Sequence, residues 1–208
     1  MTNLTASVSR RLLLRAIAGA GLLAVLPACS DSSAGFTGSD ISGTSLGKGL
    51  ALIDHTGQPR TLADYAGKVL VVFFGFTQCP DVCPTSLAEL AQTMQELGDD
   101  ADQVQVLMVT VDPERDTPNV LAQYVTAFDA RFVGLTGTPE QIKAAAASFK
   151  VSYAKVKRDD GDYTMDHLAA FFLLDKQGET RILHRANAGA AALANDLRML
   201  VHEVPKSE

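Results

Sequence analysis

The spacing of apolar and polar residues predicts alternating strands and helices over most of this 208-residue chain. Residues 69–74 form an unbroken apolar run and residues 104–111 a mostly apolar one, as is typical of buried strands. Between them, apolar residues recur at the three- and four-residue spacing of an amphipathic helix, which Gly98 is placed to end. This order favours two parallel strands joined by a covering helix.

Further elements follow the same rules, each opened or closed by a local signal such as an N-cap threonine followed by proline. In chain order they are a helix at 117–128, a strand at 132–135, a helix at 138–149, a hairpin of 168–174 with 180–183, and a helix at 190–202. Upstream, a strand at 50–53 and a turn at 54–57 indicate an N-terminal β-hairpin extension. The pattern predicts an α/β, thioredoxin-like fold with a central mixed sheet and helices on both faces.

The first 28 residues have the composition of a secretory signal peptide, with three arginines, no acid and an apolar run. Leu26-Pro27-Ala28-Cys29 resembles the lipobox of bacterial lipoproteins, which predicts lipidation of Cys29. The Arg10-Arg11 pair leaves the export route open between the twin-arginine and general secretory systems. We therefore expect a lipid-anchored protein on the periplasmic side of the bacterial inner membrane.

Three regions are predicted: a signal peptide at 1–28, a lipidated cysteine with a flexible tether at 29–48, and a folded domain at 49–208. The tether is rich in Ser, Gly, Asp and Thr, with Phe36 and Ile41 as apolar side chains large enough to dock on the domain. Loss of residues 1–28 changes the formal net charge from −6 to −9. Such an acidic domain is a poor partner for nucleic acid, and its membrane link should be the lipid alone.

The candidate chemistry lies directly after the strand at 69–74, where Cys79 and Cys83 are interleaved with Pro80 and Pro84. Proline is tolerated in the first turn of a helix, so a helix should begin between the two cysteines. A helix start favours thiolates, which are ligands for soft ions such as Cu(I).

Four-residue spacing on a helix would place the two Cβ atoms about 5–6 Å apart, whereas a disulfide needs about 3.5–4.5 Å. The geometry therefore favours a metal without excluding a disulfide. Two buried cysteines that only pack fit less well, because this pair lies in a proline-rich turn after a core strand of an exported protein. A structural zinc site also fits less well, because no second cysteine pair exists.

Cu(I) held by two thiolates usually gains from a third ligand, and imidazole suits copper. His167 is the best placed of the four histidines. It directly precedes the predicted buried strand, whose entry should lie beside the cysteine turn. His55 falls in a polar turn, His184 at the end of a hairpin strand where partial exposure is expected, and His202 near the end of the last helix.

Several stretches together resemble the Sco/SenC family of copper-handling, thioredoxin-fold proteins over about residues 36–185. They are residues 67–69, 74–85, 111–118, 132–137 and 166–167. The resemblance implies a membrane-tethered copper chaperone that helps assemble the binuclear copper centre of cytochrome c oxidase. It implies Cys79, Cys83 and His167 as ligands of Cu(I), with Cu(II) as the second ion. The partner would be the copper-bearing subunit of the oxidase or another copper chaperone.

One departure from the family's pattern is Leu168, where the family usually has a small hydroxyl residue that could support a local hydrogen bond.

The rival function is a thiol–disulfide reductase that keeps the cysteines of the oxidase reduced, with Cys79 and Cys83 as its redox pair. A peroxidase is disfavoured, because the pattern of that family places a threonine three residues before the reactive cysteine, whereas Thr77 lies only two residues before Cys79. Asp112 and Asp116 follow the strand beside the cysteine turn. They either orient a ligand or, as the preferred interpretation, serve the turn and the helix cap at Thr117-Pro118.

Overall fold

The computed structural model describes residues 35–159 and 161–204. From Phe36 onward these residues belong to one compact unit. In chain order the strands are β1 Ser39–Asp40, β2 Ala51–Asp54, β3 Pro59–Thr61, β4 Val69–Gly75, β5 Val104–Thr110, β6 Val133–Thr136, β7 Tyr153–Lys157, β8 Tyr163–His167, β9 Ala170–Leu174 and β10 Thr180–Arg185. The α-helices are α1 Val82–Leu97, α2 Pro118–Thr126, α3 Pro139–Ser148 and α4 Ala190–His202, and 3-10 turns lie at Leu62–Tyr65 and Gly98–Gln103.

Eight strands form one mixed sheet in the order β1-β10-β9-β4-β5-β6-β2-β3. Its centre is β4, which is parallel to β5 and antiparallel to β9, so that Val72 pairs with Leu107 on one side and Phe172 on the other. All seven residues of β4 are buried, as the unbroken apolar run predicts. The β2–β3 hairpin at one edge is the N-terminal extension expected from the sequence.

Helices cover both faces of this sheet. Phe149, which follows α3, packs its ring 5.5 Å from that of Phe74. Cys83 of α1 lies over the next strand position, Gly75. Successive residues of a strand point to opposite faces, so α3 and α1 lie on opposite sides. The thioredoxin-like architecture is confirmed.

The predicted tether differs from the structure over residues 36–48, which lie on the folded unit. Ser39 pairs with Leu183 in the sheet, and the N–H groups of Thr37 and Gly38 each donate to the Asp196 carboxylate at 2.9 Å. These buried partners hold the segment, and they could not be recognised from its polar composition. The predicted signal peptide and Cys29 lie outside the described residues.

A second, two-stranded sheet joins β7 to β8, with Tyr153 opposite His167. The sequence predicts no strand between residues 149 and 168, where the structure shows this antiparallel hairpin. His167 therefore ends β8, and the buried strand β9 begins later than predicted, at Ala170. Within the described residues, no helix combines the length and apolar character needed to cross a bilayer.

Candidate metal centre

The two cysteines lie at the junction of β4 and α1. The chain leaves β4 at Gly75 and enters α1 at Val82, so Cys83 is in the first turn of the helix and Cys79 is in the loop before it. The predicted helix start between the two cysteines is confirmed, so the spacing of two residues on one helical face does not apply to this pair. Instead, the backbone N–H of Cys83 donates to Cys79 Sγ at 3.4 Å. Both thiols are free.

Gly75 leaves room for the Cys83 side chain. A Cβ atom at this position would lie 2.8 Å from Cε1 of Phe73 and 3.2 Å from Cys83 Sγ. The first distance is shorter than side chains tolerate, and the Phe73 ring is fully buried and has little freedom to shift. The glycine in this turn is therefore needed for close packing of helix α1 against the sheet.

His167 lies opposite Cys83 although 84 residues separate them in sequence: its Nε2 atom is 3.6 Å from Cys83 Sγ. The other ring nitrogen, Nδ1, lies 3.1 Å from the carbonyl oxygen of Leu168. A carbonyl can only accept, so this contact assigns the ring proton to Nδ1 and leaves the Nε2 lone pair directed at the thiol. A lone pair held in this way is what a metal-ligating histidine requires.

Burial favours the neutral forms of both side chains. Cys83 is fully buried, and the loss of solvent raises the pKa of its thiol. Desolvation also lowers the pKa of His167, whose ring meets the edges of Phe73 and Phe76 at centroid distances of 6.3 and 5.8 Å. A soft metal ion that binds here must displace the thiol proton, so binding should release protons.

The other three histidines serve the fold. His55 Nδ1 accepts from the N–H of Gly134 at 3.0 Å, in the polar turn expected for it. His202 is exposed and lies 3.1 Å from Asp100. The expected partial exposure of His184 is wrong: it is 3% exposed and pairs with buried Asp196 at 2.8 Å, because the N-terminal segment and α4 cover it.

Asp112 and Asp116 contact the two segments that carry the candidate ligands. Both carboxylates are buried. Asp116 accepts from Thr77, and Asp112 accepts from Arg115 and from Tyr163. The helix cap is Thr117, whose hydroxyl accepts from Val120 N–H. The preferred interpretation, that the two acids serve the turn and the cap, is incomplete.

The sequence predicts no individual role for three residues that make these contacts: Thr77, Arg115 and Tyr163. Thr77 precedes Cys79 by two residues, and Tyr163 follows a charged, Gly-containing stretch. The contact of Arg115 with Tyr163 depends on the packing of the β7–β8 hairpin, which leaves no periodic signal in the sequence.

The donor set suits a soft ion, with two thiols and one neutral imidazole nitrogen. In the residues that the structure describes, no three His, Cys, Asp or Glu side chains already surround a common point. Cys83 and His167 face each other directly, and Cys79 is tied to Cys83 through the backbone. The fold and the site together define a thioredoxin-like domain equipped for soft-metal or dithiol chemistry.

Comparison with known proteins narrows this class. The SCO1/SenC family model matches residues 39–202, and the chain belongs to that family. The mouse (Mus musculus) protein named "Protein SCO2 homolog, mitochondrial" is 44% identical over 131 residues, which cover 62% of this chain and 51% of that protein. The chain thus spans about half the length of such curated relatives.

Two solved structures show the same fold with copper bound. Bradyrhizobium japonicum ScoI with copper bound is 37% identical, with a TM-score of 0.68, covering 78% of this chain and 98% of that one. Yeast Sco1 with copper bound is 31% identical, with a TM-score of 0.71, covering 78% of this chain and 92% of that one.

Proposed function

We propose that this protein is a copper-binding metallochaperone that delivers copper to the binuclear copper centre of cytochrome c oxidase during assembly. The observation that carries the proposal is the 3.6 Å approach of His167 Nε2 to Cys83 Sγ, with the Nδ1 proton held by a backbone carbonyl. A dithiol used only for redox chemistry does not require an imidazole lone pair aimed at one sulfur. The copper-bound structures of similar proteins support the same conclusion.

The ion is Cu(I), with Cu(II) as an alternative, and its ligands are Cys79, Cys83 and His167. Thiolates and imidazole are soft enough to hold Cu(I). Cys79 is only partly buried, so an incoming ligand from a partner can reach the site. The partner is the copper-bearing subunit of the oxidase or another copper chaperone. A lipid on Cys29 anchors the protein to the periplasmic side of the bacterial inner membrane.

A thiol–disulfide reductase is the second candidate, and the partial exposure of Cys79 favours it. In that reaction the Cys79 thiolate attacks a disulfide of the partner and releases one partner thiol, and Cys83 then attacks Cys79 Sγ in the mixed disulfide and releases the second partner thiol. The partner gains two electrons and two protons, and a Cys79–Cys83 disulfide forms. No step of this exchange uses His167.

Copper binding by the reduced full-length chain separates the two functions. We expect about one Cu(I) per chain in the parent and none held by the Cys79→Ser/Cys83→Ser variant. His167→Ala should lose more affinity than the about 10- to 100-fold typical of changes around a metal site, while its thiols still reduce a model disulfide. His202→Ala is the matched control, since His202 is exposed and pairs with Asp100.

If His167→Ala binds copper as the parent does and supports oxidase assembly, the three-ligand chaperone is wrong and the reductase is favoured. Affinity is measured by competition with a chromophoric Cu(I) chelator. Assembly is measured as oxidase activity in cells that carry each variant.

A further inference from the structure

The two halves of the proposed metal site lie on different parts of the fold. The cysteines lie between β4 and α1, at the centre of the main sheet. His167 ends β8, which pairs only with β7 in the part of the chain that the structure describes. Four of the five β7 residues are exposed, so this hairpin buries little apolar surface to hold itself in place. The chain after His167 enters β9 of the main sheet at Ala170, which pairs with β4. Contacts at the other end of β8 complete the position of His167 relative to the thiols.

One loop contacts both halves: residues 111–117 between β5 and α2, called here the bridging loop. At its C-terminal end, Asp116 is fully buried. Its carboxylate accepts from the N–H of Thr77 at 3.1 Å and from the Thr77 hydroxyl at 2.6 Å. The Thr110 hydroxyl donates to the same carboxylate at 2.6 Å. These bonds fix the backbone two residues before Cys79.

The middle of the bridging loop holds the hairpin through Tyr163, the first residue of β8. The Arg115 guanidinium carbon lies 3.8 Å from the centre of the Tyr163 ring, and its Nη1 donates to the Tyr163 carbonyl at 3.1 Å. The Tyr163 hydroxyl donates to Asp112 Oδ1 at 3.0 Å. Tyr163 thus contacts the loop through the face of its ring, its hydroxyl and its backbone carbonyl.

A second cation completes this contact. Lys155 of β7 places its Nζ 4.1 Å from the centre of the same ring and pairs with Glu114 of the bridging loop at 2.8 Å. Both strands of the hairpin are therefore joined to the loop. His167 lies at the far end of β8 from Tyr163, four residues along one short strand.

We propose that the bridging loop sets the position of His167 relative to the two cysteines, with Asp116 and Tyr163 as positioning residues at its two contacts. The inference rests on the proposed metal site. It adds that residues other than the three ligands set the distance between the imidazole and the thiols.

Directional bonds distinguish this arrangement from simple packing. Burial raises the pKa of the Asp116 carboxyl despite the bonds from Thr110 and Thr77, so the folded protein holds this group at a cost in stability. An apolar residue could fill the same space, but it could not orient the Thr77 N–H and hydroxyl. Contacts around a metal site commonly set ligand geometry in this way.

Full-length variants with matched controls test the inference. Thr77→Val removes the hydroxyl that donates to Asp116, and Tyr163→Leu removes the ring and its hydroxyl. We expect each to lower Cu(I) affinity by about 10- to 100-fold, measured by chelator competition. Thr77→Ser should restore the affinity, because it restores the donor. Tyr163→Phe keeps the stacked ring, so its loss should be smaller than that of Tyr163→Leu.

Thr56→Val is the matched control for Thr77→Val. Thr56 lies in the β2–β3 turn, far from the thiols, and donates its hydroxyl to buried Asp54 at 2.6 Å. We expect this variant to keep the Cu(I) affinity of the parent within about twofold, because distant sites act independently. Urea unfolding of each variant gives the accompanying loss of stability.

Three results would contradict one proposal or the other. If Thr77→Val and Tyr163→Leu bind Cu(I) like the parent while His167→Ala does not, the bridging loop does not position the site, and the chaperone proposal stands. If Thr56→Val loses as much affinity as Thr77→Val, the effect is general instability and the inference is wrong. If His167→Ala itself binds like the parent, the three-ligand site fails.

Discussion

The ring of His167 is positioned through both of its nitrogens. The Nδ1 proton goes to the backbone carbonyl of Leu168, and Nε2 faces Cys83. A backbone acceptor does not depend on which side chain follows the histidine. Leu168 is therefore compatible with an oriented imidazole, because its backbone carbonyl supplies the acceptor.

Gly75 provides a direct test of packing at the site. We expect Gly75→Ala to lower the free energy of unfolding by about 1–3 kcal/mol, as overpacking of a core does. It should also weaken Cu(I) binding, because the added methyl group displaces Phe73 or the Cys83 thiol. Urea unfolding and chelator competition measure the two effects.

Gly38→Ala is the matched control for this substitution. A Cβ atom at Gly38 would lie 2.6 Å from His184 Nε2 and 2.6 Å from Ile182 Cγ2, so it also overpacks the interior, but away from the thiols. A Gly75→Ala protein that loses stability and keeps its Cu(I) affinity would show that Gly75 does not shape the metal site.

Among the elements, the β2–β3 hairpin depends on one buried carboxylate in its turn. Asp54 accepts from the N–H and hydroxyl of Thr56, from the N–H of Gln58 and from Arg60 Nε, at 2.6–3.0 Å. Burial disfavours the carboxylate, but the bonds from Thr56 and Arg60 outweigh it and lower the pKa of Asp54 to about 2. The ionised carboxylate therefore stabilises this edge of the sheet.

This lowered pKa gives the hairpin a defined pH dependence. The folded-state pKa lies below the ordinary value of 3.8, so the stabilisation is complete above about pH 4 and is lost as the pH falls through about 2. Asp54→Asn cannot ionise. We expect the difference in unfolding free energy between parent and variant to shrink by about 2 kcal/mol over that window.

Urea unfolding at several pH values between about 2 and 7 measures this difference. Asp129→Asn serves as a control, since Asp129 pairs with partly exposed Arg131 in a loop distant from the hairpin. A difference between the parent and Asp54→Asn that does not change with pH would show that the turn does not depend on the ionised carboxylate.

At the scale of the whole molecule, the N-terminal segment closes one side of the fold. Buried Asp196 of α4 accepts from Thr37, Gly38 and His184 together, which joins the segment, β10 and the last helix. Burial opposes ionisation of Asp196, but the N–H groups of Thr37 and Gly38 lower its pKa. The segment that leads to the proposed membrane anchor is thus part of the domain.

Substitution of one glycine tests this docking. We expect Gly38→Ala to destabilise the protein by about 1–3 kcal/mol, because its methyl group collides with His184 and Ile182. Gly35→Ala is the control, since a Cβ atom there meets nothing within 4 Å. Equal stability of the two variants in thermal unfolding would mean that the segment does not pack as described.

Much of the fold could be predicted from the sequence because its elements have local signals. The buried strands β4 and β5 follow from apolar runs, and helices α2 and α3 follow from threonine–proline starts. The β7–β8 hairpin could not be found in this way, because four of the five β7 residues are exposed and neither strand contains an apolar run. The docking of residues 36–48 could not be predicted for a related reason, since its partners lie more than 130 residues away in sequence.

For the site, the sequence alone determined the three candidate ligands and the chemistry that their side chains favour. The residue types and the strand–turn–helix pattern around the cysteines are local properties. Only the tertiary structure decided which thiol faces the histidine, which ring nitrogen carries the proton, and which side chains connect the two halves. These properties depend on contacts between segments such as Thr77 with Asp116 and Arg115 with Tyr163, and packing in three dimensions, rather than spacing along the chain, brings those side chains together.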